Sequence, residues 1–240
     1  MNPRRLFASH VPRSAIVLGT AVVTLLLSHT TAQAQTAFLS NYPPTPPVIT
    51  GTLLGDDTGN AAIRNWKAVG LTVGTGDLIF TSMRGFFSNG SEVTREITGG
   101  IYADASGSPG ALLAAFNPQS IVGNNGQVNI DFTTATPDFR LFSGQTYWFA
   151  LTADVISSAG TGDVRWLVDS DNDVPTTFAD AVFAGYQASS NNTTTWSSSD
   201  INNLVQINAV FAPEPSSLAL LGMALGGVAV TLRRRKHTAK

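Results

Sequence analysis

Residues 69–90 read VGLTVGTGDLIFTSMRGFFSNG, and the alternation inside them sets the fold class. Val69, Leu71 and Val73 share one side of the chain and Gly70 and Thr72 the other, the period of two that belongs to a strand with one buried face. Gly74-Thr75-Gly76 breaks the run, and a second strand is expected from Leu78 to Phe87. Leu78, Phe80, Ser82 and Arg84 then lie on one side, Ile79, Thr81 and Met83 on the other, with a bulge at Gly85 before Phe86 and Phe87. Asn89-Gly90 readily takes the positive φ of a tight hairpin and leads into a strand from Val93 to Tyr102.

Outward from there the pattern repeats. Ser108-Pro109-Gly110 has the residue order of a type II turn, with Gly110 at the position that needs positive φ. Strands are expected at Ala111–Phe116, Val128–Phe132, Gln145–Thr152, Val164–Val168 and Leu204–Phe211, with no sustained 3.6-residue apolar period between them. The expected class is all-β, a β-sandwich of jelly-roll type over 61–212. Residues 35–60, with Pro43, Pro44, Pro46 and Pro47, read as an extended lead-in.

Charge and composition narrow the chemistry. The stretch 35–212 holds fifteen carboxylates against six bases, a net charge of −9, while the whole chain is only −2 because its remaining basic residues sit at the two ends. An acidic body repels phosphate backbones, so nucleic acid is not an expected partner. There is no cysteine, and the three histidines, His10, His29 and His237, lie outside this stretch. Thiol nucleophiles, Ser-His-Asp hydrolysis and His- or Cys-ligated zinc are thereby excluded from the body.

Both ends read as addresses. Arg4, Arg5 and Arg13 precede an uncharged run from Ser14 to Ser28, and Ala32-Gln33-Ala34 is a small-residue cleavage site, so 1–34 reads as a signal peptide cut by signal peptidase to leave Gln35 first. At the other end stand Pro213, Glu214 and Pro215, an uncharged run over 216–232, then Arg233, Arg234, Arg235 and Lys236. As a helix the run reaches about 25 Å at ~1.5 Å per residue, close to the hydrocarbon thickness of a bilayer. A transmembrane helix is expected there, with the basic tail 233–240 held on the cytoplasmic side. The two prolines stop a helix from extending upstream and leave an accessible segment at the membrane surface.

This three-part ending, over 213–240, resembles the PEP-CTERM sorting signal of bacterial envelope proteins. The resemblance implies a Gram-negative-type source, transient residence in the inner membrane and processing by the protease-transpeptidase exosortase. The body carries a second likeness. Ile101 to Gly110 followed by Leu112 and Leu113, together with Phe142 to Leu151, resembles the choice-of-anchor R family, with Lys67–Gly74, Ser190–Trp196 and Val205–Val210 fitting its start and end. That family implies a sandwich joined to a surface anchor and brings no catalytic residue.

Within the body, Asp169, Asp171 and Asp173 alternate in a loop, and Asp180 stands twelfth counting from Asp169, as in a calcium loop. Val174 occupies the sixth position, where a calcium loop needs glycine, and Pro175 follows, so an acidic loop and weak Ca²⁺ binding are both open, with no other cofactor expected. Trp148, Trp166 and Trp196 are candidates for a sugar-stacking platform, against the commoner role of strand aromatics as core. Lys67 reads as a solvated edge charge. The expected function is an exported, non-enzymatic surface or biofilm-matrix protein in contact with exopolysaccharide. A carbohydrate-binding module is the alternative and a glycoside hydrolase built on two of the carboxylates the third.

Overall fold

The computed structural model describes residues 36–42, 50–55, 64–124, 126–154, 164–168, 170–192 and 195–213. The expected signal peptide at 1–34, half of the lead-in with its four prolines, the apolar run at 216–232 and the basic tail lie outside these. The described chain forms fifteen strands: β1 (Thr36–Ser40), β2 (Thr50–Leu54), β3 (Trp66–Thr72), β4 (Leu78–Asn89), β5 (Arg95–Asp104), β6 (Pro109–Ala115), β7 (Gln119–Ile121), β8 (Gln127–Phe132), β9 (Arg140–Leu141), β10 (Thr146–Ala153), β11 (Val164–Val168), β12 (Thr176–Thr177), β13 (Val182–Ser189), β14 (Ser197–Ser199) and β15 (Val205–Phe211). Among the described residues no helix is long and apolar enough to cross a membrane.

The strands make two antiparallel sheets. One runs β12-β1-β15-β4-β11-β2, with β8 and β9 also on β4; the other runs β14-β13-β3-β10-β5-β6, with β7 also on β5. β4 organises the first sheet. Its Met83, Arg84 and Gly85 pair with both β15 and β8, so these two lie on opposite edges, β11 following β15 and β9 preceding β8. Between the sheets lies one apolar core, with Phe80, Phe87, Phe132, Phe149, Trp166 and Tyr186 among its largest members. Each such side chain removed from water contributes about 1.5–3 kcal/mol, which makes this layer the main source of stability.

The expected strands are present, with ends displaced by a few residues, and the sheets correct four local readings. First, the lead-in is not merely extended: 36–40 and 50–54 are strands, because Phe38 and Leu39 pack into the core as β1 pairs with β15. Second, the bulge in β4 falls at Thr81, not Gly85. The register against β15 steps from Ala209↔Phe80 to Asn208↔Ser82, after which Met83, Gly85 and Phe87 point inward. Gly85 is small for another reason, since a Cβ there would stand 2.5 Å from the Phe87 ring.

Third, Asn89-Gly90 does not close a hairpin, because β4 and β5 belong to different sheets. The Asn89 side chain builds a corner instead, accepting from Ser91 N–H at 2.9 Å and donating to the carbonyls of Val93 and Ile121 at 3.0 and 3.1 Å. Fourth, the β5–β6 turn is centred on Ser106 and Gly107, whose φ values are 58° and 87°, rather than on Pro109-Gly110, which already lie in β6. Two consecutive positive φ values match the right-handed twist of the flanking strands. The Asp104 carboxylate accepts from Gly107 N–H at 3.1 Å and holds the turn closed.

Candidate functional site

Of the three tryptophans weighed as candidates for a stacking platform, the fold sends Trp166 to the core between the sheets and brings Trp148 and Trp196 together on the second sheet. Trp166 points into the core, stacked on Phe87 with centroids 6.0 Å apart and donating from Nε1 to the Leu204 carbonyl at 2.8 Å. Trp148 points to the outer face of the second sheet but is also fully buried. It lies over Ala68 and Gly70, where a Cβ on Gly70 would meet its ring at 2.9 Å, and donates to Asp104 at 2.8 Å. Neither can offer a ring face to a sugar. Trp196 is half-buried, and the structure joins it to two aromatics that the sequence reading did not select, Trp66 and Tyr102, which pack with it over Trp148.

Trp66 and Tyr102 meet edge to face with centroids 6.5 Å apart, and Trp66 Nε1 donates to Asn192 at 3.3 Å. Beside Trp66 a shallow groove runs between β2 and the β13–β14 edge, lined by Thr52, Asn65, Ser189, Ser190, Thr195 and Ser197. Hydroxyl and amide groups next to an indole are the chemistry that recognises saccharides. The signal for Trp66 and Tyr102 was available: both occupy alternating positions on the same strand face as Ala68, Gly70 and Gly100, whose small size leaves room for rings above them.

Lys67 corrects its sequence reading outright. The alternation that turns Val69, Leu71 and Val73 inward turns Lys67 inward too, and its side chain is fully buried. Its Nζ donates to Ser199 Oγ and lies 5.0 Å over the Tyr186 ring. Loss of hydration pushes the amine down to about 7, against a smaller upward pull from Asp200. Tyr186 O–H in turn donates to the Asn203 carbonyl at 2.5 Å, and Asn203 Nδ2 donates to the Trp166 carbonyl at 2.5 Å, so a hydrogen-bonded chain runs from Tyr186 through Asn203 to Trp166.

The acidic loop is divided. Asp169 lies outside the described residues. Asp171 accepts from Ser170 Oγ at 3.2 Å, and Asp180 accepts from Thr75 Oγ1 at 3.2 Å in the turn between the sheets. Between them Asn172 has φ 53° and its side chain donates to the Asp200 carbonyl at 2.9 Å while accepting from Asn202 N–H at 2.8 Å. Among the described residues no three carboxylates or histidines stand together as a metal-binding group.

The last element leads to the motif at the chain's end. β15 closes on Phe211↔Leu78, Ala212 N–H donates to the Asp77 carbonyl at 2.8 Å, and the exposed Pro213 follows with no further place in either sheet. The sandwich thus releases the chain where Pro213-Glu214-Pro215 begins. Residues 212–236 match the PEP-CTERM protein-sorting motif as a family. The chain carries a PEP-CTERM sorting motif. It is therefore an exported, membrane-processed protein with exosortase as its processing partner. Pro213 is the described part of the PEP-CTERM tripeptide; Glu214, Pro215 and Arg233 to Lys236 lie outside the described residues, as do Ala32, Ala34 and Gln35. No curated protein matches the chain.

Proposed function

We propose that the processed chain is a non-catalytic structural or adhesive component of the cell surface or biofilm matrix, in contact with exopolysaccharide. The observation that carries this is the joining of a PEP-CTERM sorting motif to a body whose charged groups serve its own architecture. Asp104 closes a turn and anchors Trp148, Asp131 makes a two-toothed bond with Arg84 at 2.7 and 2.8 Å, Asp154 is held by Arg95, and Asp77 accepts from Ser143 N–H at 3.0 Å. Carboxylates tied into turns and ion pairs are poorly disposed to act as a glycosidase pair. On this reading the protein requires no cofactor, and the Asp169–Asp173 segment is a solvated acidic loop.

A carbohydrate-binding role is the second reading, favoured by the half-buried Trp66, Tyr102 and Trp196 beside the hydroxyl-lined groove. The test is fractionation of an exosortase-bearing host: the processed protein is expected in the extracellular matrix, and deleting its gene is expected to reduce matrix cohesion. Protein found freely dissolved in the medium, with the matrix unchanged, would contradict the structural role. A glycan array then separates the two readings, since true sugar binding should fall about tenfold in a Trp66→Ala, Trp196→Ala variant, the loss that follows when a stacking platform is removed.

A further inference from the structure

One end of the sandwich differs from the other in its aromatics: among the described residues the opposite end exposes Val93, Val122, Val174 and Ile201 but no phenylalanine. The aromatic end is formed by the loops 73–77, 142–145 and 178–181 and by the ends of β3, β10, β13 and β15, which the registers Thr146↔Thr72, Val182↔Thr72 and Phe211↔Leu78 bring together. Phe142, Phe178 and Phe211 are exposed by 53%, 54% and 37%, and all of them lie at this end, with Val182 beside them at 57%. They are the exposed phenylalanines among the described residues. Phe178 and Phe211 both stand edge-on to the buried Phe38, at 5.9 and 5.3 Å, so these two rings are fixed in position.

The charges nearby are paired or turned into the loops. Asp77 faces Arg140 at 3.6 Å, and Asp180 accepts from Thr75. An apolar end with satisfied polar groups needs a cover.

Chain connectivity says what stands nearest. The apolar run begins at Ser216, five residues after Phe211, a distance of at most about 18 Å in a fully extended chain. β1 starts at Thr36 opposite Ala209, so the chain also enters the sandwich toward this end. On the strength of the sorting reading above, we propose that this phenylalanine-rich end is a membrane-docking face that seats in the bilayer interface next to the anchored tail and presents Pro213-Glu214-Pro215 at the surface before cleavage. Apolar side chains enter the headgroup boundary by the same desolvation that buries them in a core, without attraction to anionic lipid. The acidic body calls for such a lipid-neutral contact, because its net charge of −9 opposes an electrostatic one.

The absence of cysteine makes the test direct. The full-length chain, purified from a host without exosortase, is reconstituted in phosphatidylcholine vesicles carrying a doxyl quencher near the headgroup. An environment-sensitive fluorophore is placed on Thr75→Cys in the docking end or on Val122→Cys at the opposite end. In carbonate-resistant protein the label at 75 is expected to be quenched about threefold more than the label at 122. Phe142→Ser with Phe178→Ser should bring the two close together while carbonate resistance persists.

Equal quenching in resistant wild-type protein would overturn the docking face and leave the anchored tail intact. Unchanged quenching in the double variant would overturn it as well, since the short tether alone would then hold the end near the membrane. A difference that appears only when exosortase is co-reconstituted would replace lipid by the enzyme as the occupant. If carbonate extracts the wild-type chain, the anchored-tail reading fails and the docking face with it.

Discussion

Between pH 7 and pH 9 the sandwich is expected to gain about 2–3 kcal/mol of stability, because the buried Lys67 amine is lowered to about 7 while the same amine in the unfolded chain keeps its proton to about 10.4. Through that window the unfolded state binds a proton that the folded state does not, so raising the pH favours folding. Below pH 7 both states are protonated, and the fold carries the full penalty of a buried charged ammonium beside Tyr186 and Ser199. Denaturant melts at half-unit steps measure the slope. The body has no histidine to blur it, and the upward-shifted Tyr42, Tyr102 and Tyr186 act in the opposite direction only above pH 10. Lys67→Met should flatten the profile and be the more stable protein at pH 6. A methionine variant with the wild-type slope would remove Lys67 from the explanation.

Asp154→Ala is expected to cost about 3 kcal/mol, the low end of the ~3–5 kcal/mol for stranding a buried charge, because Asp154 is itself partly exposed. The Arg95 side chain is only 1% exposed; its Nε donates to Asp154 Oδ1 at 2.7 Å and its Nη2 to the Asp154 backbone carbonyl. The alanine variant keeps the carbonyl and loses the compensating charge, leaving a guanidinium that cannot release its proton. Arg95→Met in the same background should recover most of the loss, since an apolar side chain of similar length fills the space without a desolvation cost. Chemical denaturation of the single and double variants gives the coupling directly. A loss below ~0.5 kcal/mol would mean that water reaches Arg95 by way of Asp154, which is itself 37% exposed.

Strand periodicity made most of the sheet architecture legible, because side-chain alternation is fixed by the pleat itself. Where it failed, the cause is visible. Phe183 and Tyr186 both face the core although they are three residues apart, since a bulge interrupts β13 between Phe183 and Gly185 and destroys the period of two that would have marked the strand. Corners were misread because a turn sequence specifies local φ and ψ but not which sheet receives the next strand; Asn89 has turn chemistry in either case.

Lys67 was readable, as it shares a face with Val69 and Leu71, yet its charge outweighed its position. Trp148 shows the opposite limit. An outward-facing tryptophan looks available until neighbouring aromatics from Trp66, Tyr102 and Trp196 close over it, which depends on strand order and the fold of a distant loop. The sorting motif was legible in full, since its meaning lies in the order of proline, apolar run and basic cluster rather than in tertiary contacts.

The most direct test of the account is the intact mass of the protein recovered from a host that carries exosortase. The predicted result is a chain that begins near Gln35 and ends near Pro213 to Pro215, without the run from Ser216 to Lys240, and that stays full-length at its C-terminus when exosortase is deleted. Recovery of the complete C-terminus through Lys240 in the exosortase-bearing host, with the protein confined to the inner membrane, would contradict it.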